Sequence, residues 1–463
     1  MLTGICDMKN GFLFLLVVLL FSACKNNGEY KKVMHNPLLY SQTVHELNNI
    51  VMGNNFTPVV ASRNYTYANI AAYEVIAAGN PKQYSSLAGQ LHGLKEIPKP
   101  ANQDKIDYPF AALLAYCKVG NAVTFPEGSM DEYIAGLKQK AEDADMPDDV
   151  FDASVAFGDT VGSTIMKWAK GDNYLQTRSA SKFTVTEEDG RWVPTPPMYA
   201  QAVEPHWKEI RPMVMDSAGQ FLVPPPIPFN VKDKNSDYYK QVMLIKNAVD
   251  SLTPEQEQIA NFWDDNPFKL NVNGHVMFGT KKFSPTGHWM SIVGIASQKA
   301  DAGFEETVYA YTKTSIAMFE AFIECWDAKY TYNTIRPESV INKYFDPNWR
   351  PLLQTPAFPE YTCGHSTISS AAAEALTSVY GDNFKYTDTT ELEFGIDSRS
   401  FPSFRAAAIE NNWARFYGGI HFHSSCIMAT KYGRRLGDYV ANTLHMKKGE
   451  KELEPAVDTT KYY

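Results

Sequence analysis

Long apolar runs are absent from this sequence, apart from one short stretch near the N-terminus, so nothing in it reads as a membrane-spanning helix. Positive charge is in deficit too. With 43 Lys and Arg against 52 Asp and Glu, the net charge is -9 and the pI near 5.6, which speaks against a nucleic-acid partner. Cysteine is scarce, and Cys6 and Cys24 fall in the N-terminal segment. The other four, Cys117, Cys325, Cys363 and Cys426, are far apart and lack metal-type spacing. Neither a disulfide scaffold nor a cysteine metal site follows from them. Alternating strand patterns are nearly missing and no internal repeat is found, which leaves sandwiches, barrels and solenoids without support.

What is present is core material: 44% apolar residues, with 26 Tyr, 26 Phe and 8 Trp. The N-terminus carries a targeting pattern. Lys9 precedes the apolar run Gly11 to Phe21, and Ser22-Ala23-Cys24 follows, with Met8 an alternative start. A charged start, a short apolar run and a small-residue finish predict a signal peptide over 1–23. Its ending resembles a bacterial lipobox, which implies cleavage before Cys24 and lipid on that thiol; a plain secretory signal is the alternative. Either places the mature chain outside the cytoplasm, the first anchored to a bacterial membrane facing the periplasm or in the outer membrane.

After a tether at 24–34, helical patterns dominate and predict one all-α domain over 35–463. Asn64 to Ala78 is one such segment; Ser129 is expected to cap Asp131 to Ala144, and Asp148 a helix ending near Lys170. Thr253-Pro-Glu-Gln256 reads as a cap with a first-turn proline. The clearest helix runs from Gly303 to Lys329, with Phe304, Val308, Tyr311, Met318, Phe322 and Trp326 at three- and four-residue steps. Between Trp192 and Pro228 the texture is rich in proline and aromatics, which predicts an irregular ordered belt packed on the helical bundle.

Three polar clusters, all within 325–445, stand out against this background. In the first, Lys329-Tyr-Thr-Tyr-Asn-Thr-Ile-Arg336-Pro337, two cations flank a short turn at the end of the most apolar helix. The second is Phe358-Pro-Glu-Tyr-Thr-Cys-Gly-His365, followed by small helix-compatible residues. Prolines stiffen its approach and Gly364 permits a tight turn, delivering His365 to the first turn of a helix. Unpaired N–H groups there suit an oxyanion, and the imidazole can move a proton. The third is Arg415-Phe-Tyr-Gly-Gly-Ile-His421-Phe-His423. Gly418-Gly419 breaks one helix, and His421 is expected to open the next, biased towards a neutral ring.

Lys, six residues, Arg-Pro; then Gly-His; then Arg, five residues, His: in order and spacing this resembles the superfamily that joins vanadium-dependent haloperoxidases and type 2 phosphatidic acid phosphatases. Trp192 to Pro197, Glu204-Pro-His-Trp207 and Gly287-His-Trp289 look like its larger bacterial haloperoxidase-type members. The resemblance implies a helical fold and a vanadate cofactor, with phosphate able to occupy the same site. By its pattern Lys329, Arg336 and Arg415 would neutralise oxyanion oxygens, Gly364 and residue 363 would donate hydrogen bonds, His421 would ligate vanadium, and His365 would move a proton. The implied substrates are hydrogen peroxide and halide. The alternative is an acid phosphatase in which His421 attacks phosphorus, giving a phosphohistidine, and His365 protonates the leaving alcohol. A non-catalytic surface lipoprotein with a decayed site is opposed by the intact Lys, Arg and His residues. Self-association into a homo-oligomer stays open.

Three positions depart from the family pattern. Cys363 stands where Ser is usual, a weaker donor that peroxide can oxidise. Ser425 replaces the Asp that orients the nucleophilic histidine in phosphatases, and Ala414 replaces a Ser. On the sequence alone, His421 has therefore lost its carboxylate, which weakens the phosphatase reading.

Overall fold

The computed structural model describes residues 28–273 and 276–454; the signal segment and Cys24 lie outside the described residues. Helices account for almost all of the architecture. In chain order they are α1 (Glu29–Met34), α2 (Pro37–Gly53), α3 (Pro58–Gly79), α4 (Tyr108–Val123), α5 (Asp131–Asp143), α6 (Asp148–Ala169), α7 (Tyr174–Ser179), α8 (Asp237–Asp250), α9 (Pro254–Phe262), α10 (Pro285–Lys299), α11 (Phe304–Tyr332), α12 (Pro337–Tyr344), α13 (Gly364–Tyr380), α14 (Phe404–Tyr417) and α15 (His423–Thr443). The all-α expectation holds. Two short antiparallel hairpins escaped it: β1 (Lys269–Asn273) with β2 (Val276–Thr280), and β3 (Tyr386–Asp388) with β4 (Arg399–Phe401). Among the described residues, no helix is long and apolar enough to cross a membrane.

Helix α11 is the axis, buried along nearly its whole length and packed against α3, α10, α13 and α15. Its apolar residues recur on every face, the pattern of a helix enclosed by others. Asn333, in the left-handed region, ends it, and Pro337 holds Arg336 in extended geometry before α12 begins. Thr253 and Gln256 form the expected capping box on α9. Helices α13 and α15 approach more closely than ordinary side chains allow. A Cβ on Gly437 would lie 2.9 Å from Ala371 Cα, and one on Gly433 would overlap Thr367 O. The small residues after His365 make that approach possible.

The proline-rich belt is ordered and pinned to α11. Trp192, Trp207 and Met213 are buried, Trp326 Nε1 donates to Val203 O at 3.1 Å, and Glu320 accepts from Met215 N at 2.8 Å. Several local expectations need correction. Ser129 does not cap α5; its hydroxyl turns to Pro126 O, and Met130 holds the cap position. Asp148 is the first residue of α6, with Pro147 before it. The tether already contains α1, because Tyr30 and Met34 find apolar burial.

Candidate active site

The three clusters converge through backbone geometry. Lys329, in the last turn of α11, donates to Pro359 O at 3.0 Å, Glu360 O at 3.1 Å and Thr362 O. It thereby ties the 358–362 loop to the end of the central helix. Arg336, fully buried at the start of α12, donates through Nε to Phe358 O at 2.8 Å and through Nη1 to Ile420 O at 2.9 Å. Arg415, near the end of α14, donates through Nη1 to Trp263 O at 2.7 Å. That carbonyl is in reach because α9 packs on α14. Burial lowers the pKa of Lys329 to about 8 and that of Arg336 to about 10.

His421 does not open a helix. It lies in the turn after Gly419, whose φ of +77° reverses the chain, and α15 begins at His423. The helix N-terminus therefore cannot orient its ring. Glu360 can: its Oε1 lies 2.9 Å from His421 Nδ1 and accepts from Phe422 N at 3.1 Å. A carboxylate at Nδ1 selects the tautomer with the proton there and leaves a lone pair on Nε2, which faces Arg336 Nη1 at 3.1 Å. The expectation that His421 lacks a carboxylate is thus corrected. Ser425 does not supply it; Glu360, from the loop of the second cluster, does. Sequence reasoning quoted Glu360 and passed over it, although a carboxylate between proline and tyrosine in an otherwise apolar stretch was the available signal. His423 stacks on Trp413 at 4.8 Å, away from the cradle.

His365 is the second residue of α13, as expected, and Cys363 is its N-cap residue. Burial, then the charges of Arg415 and the neighbouring cations, holds His365 well below its usual pKa, so its ring is neutral. Behind it is a network the sequence did not disclose. Asp265 Oδ2 lies 3.7 Å from His365 Nε2, while Asp265 Oδ1 meets His288 Nδ1 at 2.8 Å. His288 Nε2 reaches Asp388 Oδ2 at 2.9 Å, and the ring stacks on Trp263 at 4.7 Å. Burial alone would push the Cys363 thiol up. Hydrogen bonding from Cys426 and contacts with His421 and Ser366 outweigh it and hold the thiol well below its ordinary value.

Arg336 Nη2, Arg415 Nε and His365 Nε2 are buried without a hydrogen-bond partner among the described residues. Each such atom costs about 1–3 kcal/mol, a cost that a bound oxyanion would remove. The site thus fits vanadate or phosphate: three cations, two of them with unused donors, and an imidazole lone pair. A cleft of about 260 Å³, lined by His365, Arg415, Phe358, Phe268 and Met198, leads to it. A roomier cavity, about 500 Å³, lies beyond Glu360 and contains none of these donors, so volume is a poor guide to the chemistry here.

A bacterial vanadium-dependent iodoperoxidase of known crystal structure is 43% identical, with a TM-score of 0.84 over 90% of this chain and 98% of that one. This chain belongs to the vanadium haloperoxidase superfamily. A family model described as the VCPO second helical-bundle domain matches residues 310–448, which contain all three clusters. The holo and apo crystal structures of a bacterial vanadium-dependent chloroperoxidase share its fold, at 15% and 16% identity, with TM-scores of 0.62 and 0.61. Both superpose on 84% of this chain, and cover 93% and 94% of theirs. No curated protein matches.

Proposed function

We propose that this haloperoxidase-superfamily chain oxidises halide with hydrogen peroxide, using vanadate held by Lys329, Arg336, Cys363, Gly364, His365, Arg415 and His421. The observation that carries the reading is the set of unpartnered buried donors beside His421. Bound vanadate supplies Lewis acidity without changing its redox state. The protein does the rest. Arg336 and Arg415 bind and orient the anion, Lys329 adds charge and fixes the loop, and Glu360 keeps the His421 lone pair aimed inward. His365, neutral and at the mouth of the cleft, takes or gives the proton. The apolar cleft limits water.

A phosphatase reading remains second. It draws on the Glu360–His421 pair, which supplies the carboxylate that Ser425 does not. One preparation separates the two: reconstitute with vanadate, measure bound vanadium, and assay halide oxidation and phosphate-ester hydrolysis side by side. Ester hydrolysis without vanadium retention or halide turnover sinks the leading reading. The same proposal keeps the chain outside the cytoplasm on a lipid at Cys24, tested by fatty-acid labelling that Cys24→Ala abolishes.

Two variants probe the loop. Glu360→Ala should weaken vanadate retention about 10- to 100-fold, the usual cost of losing a carboxylate behind a ligating histidine. Unchanged vanadium content would mean that Glu360 serves only the fold. Cys363→Ser should keep or raise turnover, since a hydroxyl donates better and resists peroxide. A large loss in a folded protein would give the thiol a role of its own.

A further inference from the structure

We propose that Cys363 and Cys426 are a peroxide-reactive thiol pair, a modification site at the back of the cradle in which hydrogen peroxide drives a disulfide between α13 and α15. The packing of these helices carries the argument. Thr367 faces Gly433 and Ala371 faces Gly437 with no room for a Cβ between them. One turn back on each helix, this register sets Cys363 against Ala429 and Cys426. Those three side chains form a small buried cluster of their own. Both thiols lie in that cluster, and Ser366 Oγ donates to Cys363 Sγ at 3.1 Å. A disulfide needs Cα separations of about 4.4–6.8 Å, and the close approach at Thr367 and Gly433, one turn on, brings that range into reach.

Position makes Cys363 the thiol that reacts first. It immediately precedes the helix that carries His365 and so stands at the cradle, whereas Cys426 lies behind it in the first turn of α15. The Cys363 thiolate attacks one peroxide oxygen, the O–O bond breaks, and hydroxide leaves, giving a sulfenic acid. The Cys426 thiol then attacks that sulfur, forming the S–S bond and releasing water. Overall two thiols and one hydrogen peroxide give one disulfide and two waters; the sulfurs lose two electrons and the peroxide gains them. The bridge draws Cys363 Sγ towards α15 and takes the sulfur out of the cradle, so the oxidised protein retains less vanadate.

The inference rests on the haloperoxidase reading only for the source of peroxide, and its test needs neither halide nor vanadate. The full chain, free of vanadate, is treated with hydrogen peroxide, alkylated and mapped by peptide mass. The expected result is a Cys363–Cys426 linked peptide and the loss of two thiols, with Cys117 and Cys325 still reduced and the loss reversed by dithiothreitol. Phosphate bound beforehand should slow the reaction, because it fills the space through which peroxide reaches the sulfur. In Cys426→Ser, Cys363 should stop at a sulfenic acid that dimedone traps. Cys363 and Cys426 both still reduced after treatment, or Cys363 carried to sulfinic acid with Cys426 still reduced, would overturn the proposal; the wild-type map decides even where the variant fails to fold. Absence of the disulfide leaves the haloperoxidase reading untouched. A loaded enzyme without halide turnover leaves the thiol result standing.

Discussion

Replacing His421 by Ala is expected to abolish vanadate retention and lower turnover by at least about 10³-fold, the largest effect of any single change in this protein. The reason is positional. His421 Nε2 is the imidazole lone pair that the fold turns inward, with Glu360 holding the proton on the far side of the ring. The nearest rival is His423, two residues on, but its ring lies on Trp413 and points away. Bound vanadium measured after dialysis distinguishes them. If the His423→Ala protein loses vanadium and the His421→Ala protein keeps it, the assignment of the third cluster is wrong.

Arg336→Lys should weaken vanadate binding by about 10²-fold although the charge is kept. The guanidinium uses three nitrogens in three directions: Nε to Phe358 O, Nη1 to Ile420 O and His421, and Nη2 free for the anion. An ammonium can occupy only one of these places. The change leaves carbonyls unpaired, and each lost charge-assisted hydrogen bond is worth about 1.5–3 kcal/mol. Phosphate should compete with vanadate for the same donors and slow reconstitution, despite the net charge of -9. Reconstitution that ignores phosphate, together with a harmless Arg336→Lys change, would remove the cradle and both catalytic readings with it. The pH dependence has a definite sign. Burial lowers Lys329 to about 8, and only its protonated form attracts an anion, so affinity for the empty site should fall as pH rises through 8. A bound anion stabilises the ammonium, so the loaded protein should lose vanadate only at higher pH.

The sequence by itself determined the residue types of the cradle, their order, and the helices that carry them. The helical period from Phe304 to Trp326 places Lys329 near the end of a buried helix, Pro337 forces Arg336 out of helical geometry, and Gly364 puts His365 in a first turn. These are local effects, written in spacings of a few residues, and they survive into the fold. Cap positions at Ser129 and Asp148 were misjudged by one residue because neighbouring contacts, not propensity, choose where the first turn begins. The two hairpins carry too short a pattern to rise above the helical background.

Only the tertiary structure decided which groups act together. Glu360 meets His421 across 61 residues, Asp265 meets His288 across 23, and His288 meets Asp388 across 100. The touching thiols stand on separate helices. No local period encodes such pairings. They follow from which helix faces bury together, and burial then forces each polar group to find whichever partner the packing has brought near. That is why Ser425, read as the loss of a carboxylate, was misleading: the fold supplies the acid from another loop.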